Sequence, residues 1–218
     1  MQMQNGNNTK ALTKRMFVTA LDDLRRRHEH IESVISKYGP PPMWAREPGF
    51  PSLVFTILEQ QVSLASARAV YERLCGITGL LTPEAFIRQT DAALREIGFS
   101  RQKTQYCRNV ATSVLNGQLN LDELEQSDDG TVRARLMEIK GIGGWTSDIY
   151  LLHSLCRPDI WPTGDLALRV SVLEVLALQT APSENELLDL GENYRPWRSV
   201  ATRVFWHHYL TIRNRALD

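Results

Sequence analysis

Gly141-Ile142-Gly143-Gly144 is the feature that most constrains the fold of this 218-residue chain. An apolar-periodic segment closes at Lys140 and another opens near Trp145 and runs toward Leu155, so this short glycine-rich turn is all that separates them. Glycine tolerates tight backbone turns without a Cβ penalty, which makes the pair a helical hairpin. Amides at the start of the second helix face outward at the positive end of its dipole. A turn without bulky side chains lets an anion such as phosphate reach them. The same spacing also serves a plain αα-turn, so the hairpin alone leaves both readings open.

Helical patterning extends over nearly the whole chain. A first helix is expected from about Thr13 to Tyr38, with Leu21, Leu24, Ile31, Val34 and Ile35 on its apolar face, ended by Gly39-Pro40-Pro41-Pro42. Another starts after Pro51-Ser52 and continues to Leu74 with a break near Gln61-Val62-Ser63. Further helices are expected near 83–88, 91–97, 101–116, 121–126, 131–138, 145–156, 166–178, 184–191 and 196–213. No strand-period run is long enough to count, so the expected class is all-α. Residues 1–9, polar and rich in Asn and Gln, are expected to be disordered.

The 25 basic and 25 acidic side chains cancel, so no global cationic field exists to attract a polyanion, and any such site must be a local patch. Candidates are Arg101, Lys103 and Arg108 on one segment, Lys140 beside the hairpin, and Arg195, Arg198 and Arg203 near the C-terminus. Cys75, Cys107 and Cys156 lie far apart and give neither a disulfide framework nor a zinc site, and the five histidines show no metal-ligand spacing. No apolar stretch is long enough to span a bilayer and no signal-peptide pattern opens the chain, which predicts a soluble, cytoplasmic or nucleoid-associated protein. Asp165, after Pro162-Thr163-Gly164 and before the apolar-periodic run Leu166 to Leu178, reads from its neighbours as a helix N-cap. A carboxylate there stays ionised and has a second oxygen to offer a ligand.

Four segments, Leu58-Glu59-Gln60-Gln61-Val62-Ser63, Gly141 to Thr146, Pro162-Thr163-Gly164-Asp165-Leu166 and Arg195-Pro196-Trp197-Arg198-Ser199, stand in the order seen in a known family. With them the chain resembles the helix-hairpin-helix (HhH-GPD) superfamily of DNA glycosylases, and within it the alkylation-repair branch of the 3-methyladenine DNA glycosylase II type. The resemblance covers roughly residues 45–212. It implies a two-lobed helical bundle with a cleft between lobes: 46–158 with the hairpin at 136–150, and 10–45 plus 159–218. The N-terminal β domain of some longer members is not expected.

The resemblance implies that Asp165 is the catalytic residue and that double-stranded DNA containing alkylated bases is the partner, bound by a monomer. Gly141, Gly143, Gly144, Thr146 and Lys140 would hold the DNA backbone. Gln61, helped by Gln60, would plug the gap left by a flipped nucleotide. Trp145 and Trp206 match aromatic base-pocket positions, and Tyr150 or Trp161 would add to the wall. Some relatives carry a pocket tyrosine four residues after the hairpin tryptophan, where this chain has Ile149. Relatives that cut the strand place a nucleophilic lysine where Trp145 stands, so a monofunctional glycosylase leaving an abasic site is expected. No cofactor is required, and the four-cysteine run of iron–sulfur relatives is missing. The carbonyls of Met137, Ile139 and Ile142 would hold a structural Na+ or K+. The competing readings are a non-catalytic hairpin module for damaged or abasic DNA, a bifunctional glycosylase/lyase, and an iron–sulfur endonuclease.

Overall fold

The computed structural model describes residues 11–215; the expectation for residues 1–9 lies outside them. The described residues form thirteen α-helices and no strand, so the chain is all-α. Arg46–Leu155 make one compact unit, and the described residues before Arg46 and from Cys156 onward make a second.

The first unit, the hairpin unit, contains α3 (Phe50–Glu59), α4 (Leu64–Thr78), α5 (Pro83–Ile87), α6 (Asp91–Glu96), α7 (Arg101–Leu115), α8 (Leu121–Gln126), α9 (Asp129–Met137) and α10 (Gly144–His153). Helix α3 is its core element. Phe50, Leu53, Val54, Ile57 and Leu58 are all buried, and the helix packs on α4, α7 and α10. Helices hidden on most of their circumference read as nearly continuous apolar runs, as this one does.

The second unit, the aspartate unit, contains α1 (Lys14–Arg27), α2 (Glu29–Tyr38), α11 (Leu166–Val175), α12 (Glu184–Glu192) and α13 (Arg198–Ile212). Helix α13 is buried from Ser199 through Trp206 and packs on α1, α2 and α11. Trp161, Tyr194 and Phe205 form an aromatic triangle with ring centroids 5.3–5.9 Å apart, within the range where edge and tilted contacts are favourable.

The single helix expected from Thr13 to Tyr38 is two helices. His28 is extended (φ −138°, ψ 105°) and separates α1 from α2. No glycine or proline marks the elbow; tertiary bonds hold it. Arg27 donates to the carbonyls of Asn193 (2.7 Å) and Arg195 (3.1 Å), and Arg25 grips Glu32 across the break. Elsewhere the break expected near residues 61–63 is observed between α3 and α4. Most helix starts carry a side-chain cap, from Thr13, Ser63, Thr82, Thr90, Ser100, Asn120, Asp128, Asp165 or Ser183.

Candidate functional site

The hairpin is anchored from beneath by Leu136, Ile139 and Ile142, all buried, while Lys140, Gly143 and Gly144 are exposed. Ile142 N donates to Ile139 O at 3.0 Å and closes the turn. Gly141 adopts φ +113°, and a Cβ there would lie 2.2 Å from Cγ of Tyr106, so both backbone and packing demand glycine. A Cβ on Gly143 or Gly144 would meet nothing within 4 Å. Those two positions are glycines for a different reason: they leave the start of α10 bare. Gly143 caps that helix with no side-chain acceptor. The outer surface of the turn thus offers helix-start amides to an incoming anion, with the dipole aligned to favour it.

Three side chains hold the turn from outside its own sequence. Gln60 Nε2 donates to Gly141 O and to Thr146 Oγ1, each at 3.0 Å, and Asn109 Nδ2 donates to Lys140 O at 2.8 Å. Arg133 Nε donates to Asp148 Oδ1 at 2.6 Å and ties α9 to α10. Asn109 and Tyr106, three residues apart on one face of α7, contact the hairpin together. None of these hairpin supports was singled out as such from sequence. The α7 pair carries only the i, i+3 spacing as a signal, and Gln60 was assigned elsewhere.

Gln60, named by the resemblance as help for the plug, points its amide at the hairpin and donates there. Gln61 is exposed and left-handed (φ +56°), a conformation that costs a non-glycine residue about 1–2 kcal/mol. Thr146 is 2% exposed with Oγ1 taken by Gln60, so its side chain supports the turn instead of facing DNA. Tyr150 is fully buried, its hydroxyl accepting from Gly49 N at 3.1 Å, and burial pushes its pKa up to about 12. It is a core residue of the hairpin unit. Trp145 is half-buried in the first turn of α10.

In the aspartate unit the loop before α11 is folded by Asp165 N donating to Pro162 O at 2.9 Å. Asp165 caps the helix, its Oδ1 accepting from Leu168 N at 2.7 Å. The same oxygen accepts from Trp206 Nε1 at 2.9 Å, a link between α11 and α13 that the cap reading does not require. Two donors on one oxygen fix the carboxylate plane in a residue only 9% exposed. Trp206, expected in the base pocket, is itself 4% exposed and meets Asp165 through that bond. Trp161, expected to add to the pocket wall, is 4% exposed and packed within its own unit. Its indole donates to Leu187 O at 2.8 Å, it stacks in the aromatic triangle, and a Cβ on Gly191 would come within 2.5 Å of its ring.

Most of the expected basic patch is structural. Lys103 donates to Leu58 O, and burial lowers its pKa; Arg108 binds Asp91 and the carbonyls of Ile87 and Gln89. Arg195 and Arg198 share Asp159 and Glu192, and the fully buried Arg203 donates to the carbonyls of Met43 and Ser199. Cations committed to such partners are poorly placed to neutralise phosphates. Lys140 and Arg101 remain exposed.

An all-helical chain with an open glycine hairpin and a helix-capping aspartate twenty-odd residues beyond it defines a helix-hairpin-helix protein. Residues 54–196 match the family described as HhH-GPD superfamily base excision DNA repair protein, and the chain belongs to that superfamily. It is 26% identical over 201 residues to DNA-3-methyladenine glycosylase 1 of Schizosaccharomyces pombe, covering 90% of this chain and 87% of that protein. The S. pombe 3-methyladenine DNA glycosylase solved with abasic DNA superposes with a TM-score of 0.80 at 26% identity, over 86% of this chain and 95% of that one. A DNA-3-methyladenine glycosidase from Bacillus halodurans gives a TM-score of 0.72 at 30% identity, over 91% of each chain. Coverage is shorter on one Bacillus subtilis relative, of whose length the chain spans 55%.

Proposed function

We propose that this protein is a monofunctional DNA glycosylase that removes alkylated bases, of the 3-methyladenine and 7-methylguanine type, and leaves an abasic site. The observation that carries the reading is the Asp165 carboxylate, whose Oδ1 is held by Leu168 N and Trp206 Nε1. Relatives named as 3-methyladenine glycosylases supply the substrate class. Alkylation at N3 or N7 makes the purine cationic and a good leaving group, so no protonation of the base is needed. As the glycosidic bond breaks, the electron pair leaves with the base and the sugar gains oxocarbenium character. A fixed carboxylate stabilises that charge or orients the water that adds to C1′. Reaching C1′ requires the nucleotide to be flipped out of the duplex.

Trp145 stands where a lyase would carry lysine, which supports hydrolysis without strand cleavage. Its half-buried ring is an aromatic face for a cationic purine, an interaction of about 0.5–2 kcal/mol. Gly143, Gly144 and Lys140 serve the DNA backbone. A structural Na+ or K+ at the carbonyls of Met137, Ile139 and Ile142 is part of the reading; Ile139 O already accepts from Ile142 N and has a second lone pair for a cation. No iron–sulfur cluster is included, since the sequence holds three cysteines and lacks the four-cysteine run of the relatives that carry one. The protein acts as a monomer on cytoplasmic or nucleoid DNA. Among the described residues no helix is long and apolar enough to cross a membrane.

The bond from Leu168 N favours a second reading, in which Asp165 only caps α11 and the protein is a non-catalytic module for damaged DNA. One experiment separates the two: release of free base from methylated duplex DNA by wild type and Asp165→Asn, with binding to an abasic-site analogue measured alongside. Release by the wild type alone, with binding retained by both, supports the glycosylase. Binding by both with no release from any alkylated base overturns it.

A further inference from the structure

The end of α3 is clamped at three successive residues. Leu58 O accepts from Lys103 Nζ at 2.6 Å, and the Glu59 carboxylate is held by both terminal nitrogens of Arg46 at 2.6 and 2.8 Å. Gln60 then spends its amide on Gly141 O and Thr146 Oγ1 of the hairpin. The next residue, Gln61, is exposed in the left-handed region, where a non-glycine side chain stays only if its surroundings hold the backbone. Arg46 also stacks over Phe55 at 4.5 Å, so the clamp is braced one turn back along α3.

A surface turn that merely connected α3 to α4 would not need a buried ion pair, a lysine and a glutamine on consecutive residues. We infer that Gln60 is a positioning residue that joins the exposed Gln61 to the hairpin, so that insertion of Gln61 into the duplex and the grip on the DNA backbone are set in one fixed register. This rests on the glycosylase reading above. Gln60 touches neither base nor sugar. It acts by fixing where Gln61 stands relative to the turn that holds phosphate, and a small misplacement between such groups lowers the population of productive complexes.

The test uses the full chain and a methylated duplex with 2-aminopurine beside the lesion, whose fluorescence rises when the stack opens. Gln60→Leu removes the amide donor at similar volume. The expected result is a melting temperature close to wild type, with the fluorescence rise and single-turnover base release, both read at saturating enzyme, down at least fivefold. In a Gln61→Ala background the same Gln60→Leu change should cost less than twofold, because nothing is left to position. Thr146→Val, which removes one of the two acceptors, should give an intermediate loss with the same dependence on Gln61. Equal losses in both backgrounds, or losses that track a lowered melting temperature, would make Gln60 a general stabiliser of the turn and overturn the inference. Full activity of Gln60→Leu overturns it too. Should the wild type release no methylated base, the glycosylase reading itself fails, a result distinct from these.

Discussion

Helices α10 and α11 begin in opposite ways. Helix α10 starts at Gly143, with no side-chain cap and open space around both exposed glycines. Helix α11 starts at Asp165, which supplies its own acceptor to Leu168 N and gains a second donor from Trp206. Both starts carry the same positive dipole end. At α11 the anion belongs to the protein; at α10 the place is left bare, and Gln60 and Asn109 grip the carbonyls of the turn. A glycine in place of a side-chain cap sacrifices about a few tenths of a kcal/mol of local stability, at a position where a phosphate would serve as the cap.

The comparison breaks most sharply at Asp165→Asn. Asparagine caps as well as aspartate, so stability should change by less than about 0.5 kcal/mol, while base release falls by about 10²–10³-fold. Single-turnover assays beside thermal melts check both halves, and parallel loss of activity and stability would return Asp165 to the role of a cap. Gly141→Ala should be the most destabilising hairpin change, at about 1–3 kcal/mol, because the added Cβ collides with Tyr106 at a positive φ. Gly143→Ala should leave the fold nearly intact, since its φ is −108° and no atom lies near; denaturant titrations of the two variants measure the difference.

Gly143→Asp makes the start of α10 resemble that of α11. The expected outcome is a gain of about a few tenths of a kcal/mol in stability with DNA affinity down about tenfold, and a shallower salt dependence of binding. Unchanged affinity would mean that phosphate does not seat there. The smallest expected effect is one of pH. Burial lowers the pKa of His28, His30 and His208, all in the aspartate unit, so the unfolded chain binds more protons than the folded one below the ordinary histidine value of about 6.5. The stability these groups contribute is present above that pH and is lost as pH falls through their lowered values. Hydrogen-exchange protection, referred to the intrinsic exchange rate at each pH, should fall between pH 7.5 and 5 in α1, α2 and α13 before α3 and α10; a simultaneous fall would contradict this.

Helix positions and the hairpin were readable from periodicity and glycines because both are local. Asp165 was readable in place and in type, yet its bond to Trp206 was not, since that bond spans 41 residues and leaves no spacing pattern. The bonds of Gln60 and Trp161 were hidden for the same reason. Nothing in the sequence pairs Gln60 with the carbonyl of Gly141, or the Trp161 indole with Leu187 O 26 residues away. The elbow at His28 is also held by distant carbonyls, with no breaker residue in its own sequence. Charge in the sequence says nothing about whether a carboxylate or carbonyl has already claimed it, as at Arg198 and Lys103.

The aspartate unit is assembled from two stretches that the hairpin unit separates, and bonds such as Arg203 to Met43 and Arg27 to Arg195 O close loops of 160 and 168 residues. Arg46–Leu155, by contrast, is one continuous segment. A ribosome therefore delivers everything the hairpin unit needs while Asp165 and α13 are still unmade, and α1 and α2 must wait through that interval without the helix they are built to cover. Domains emerging in order fold as units, and long loop closures come late. The portion suited to holding a phosphate backbone is thus complete during synthesis before the portion that carries the carboxylate.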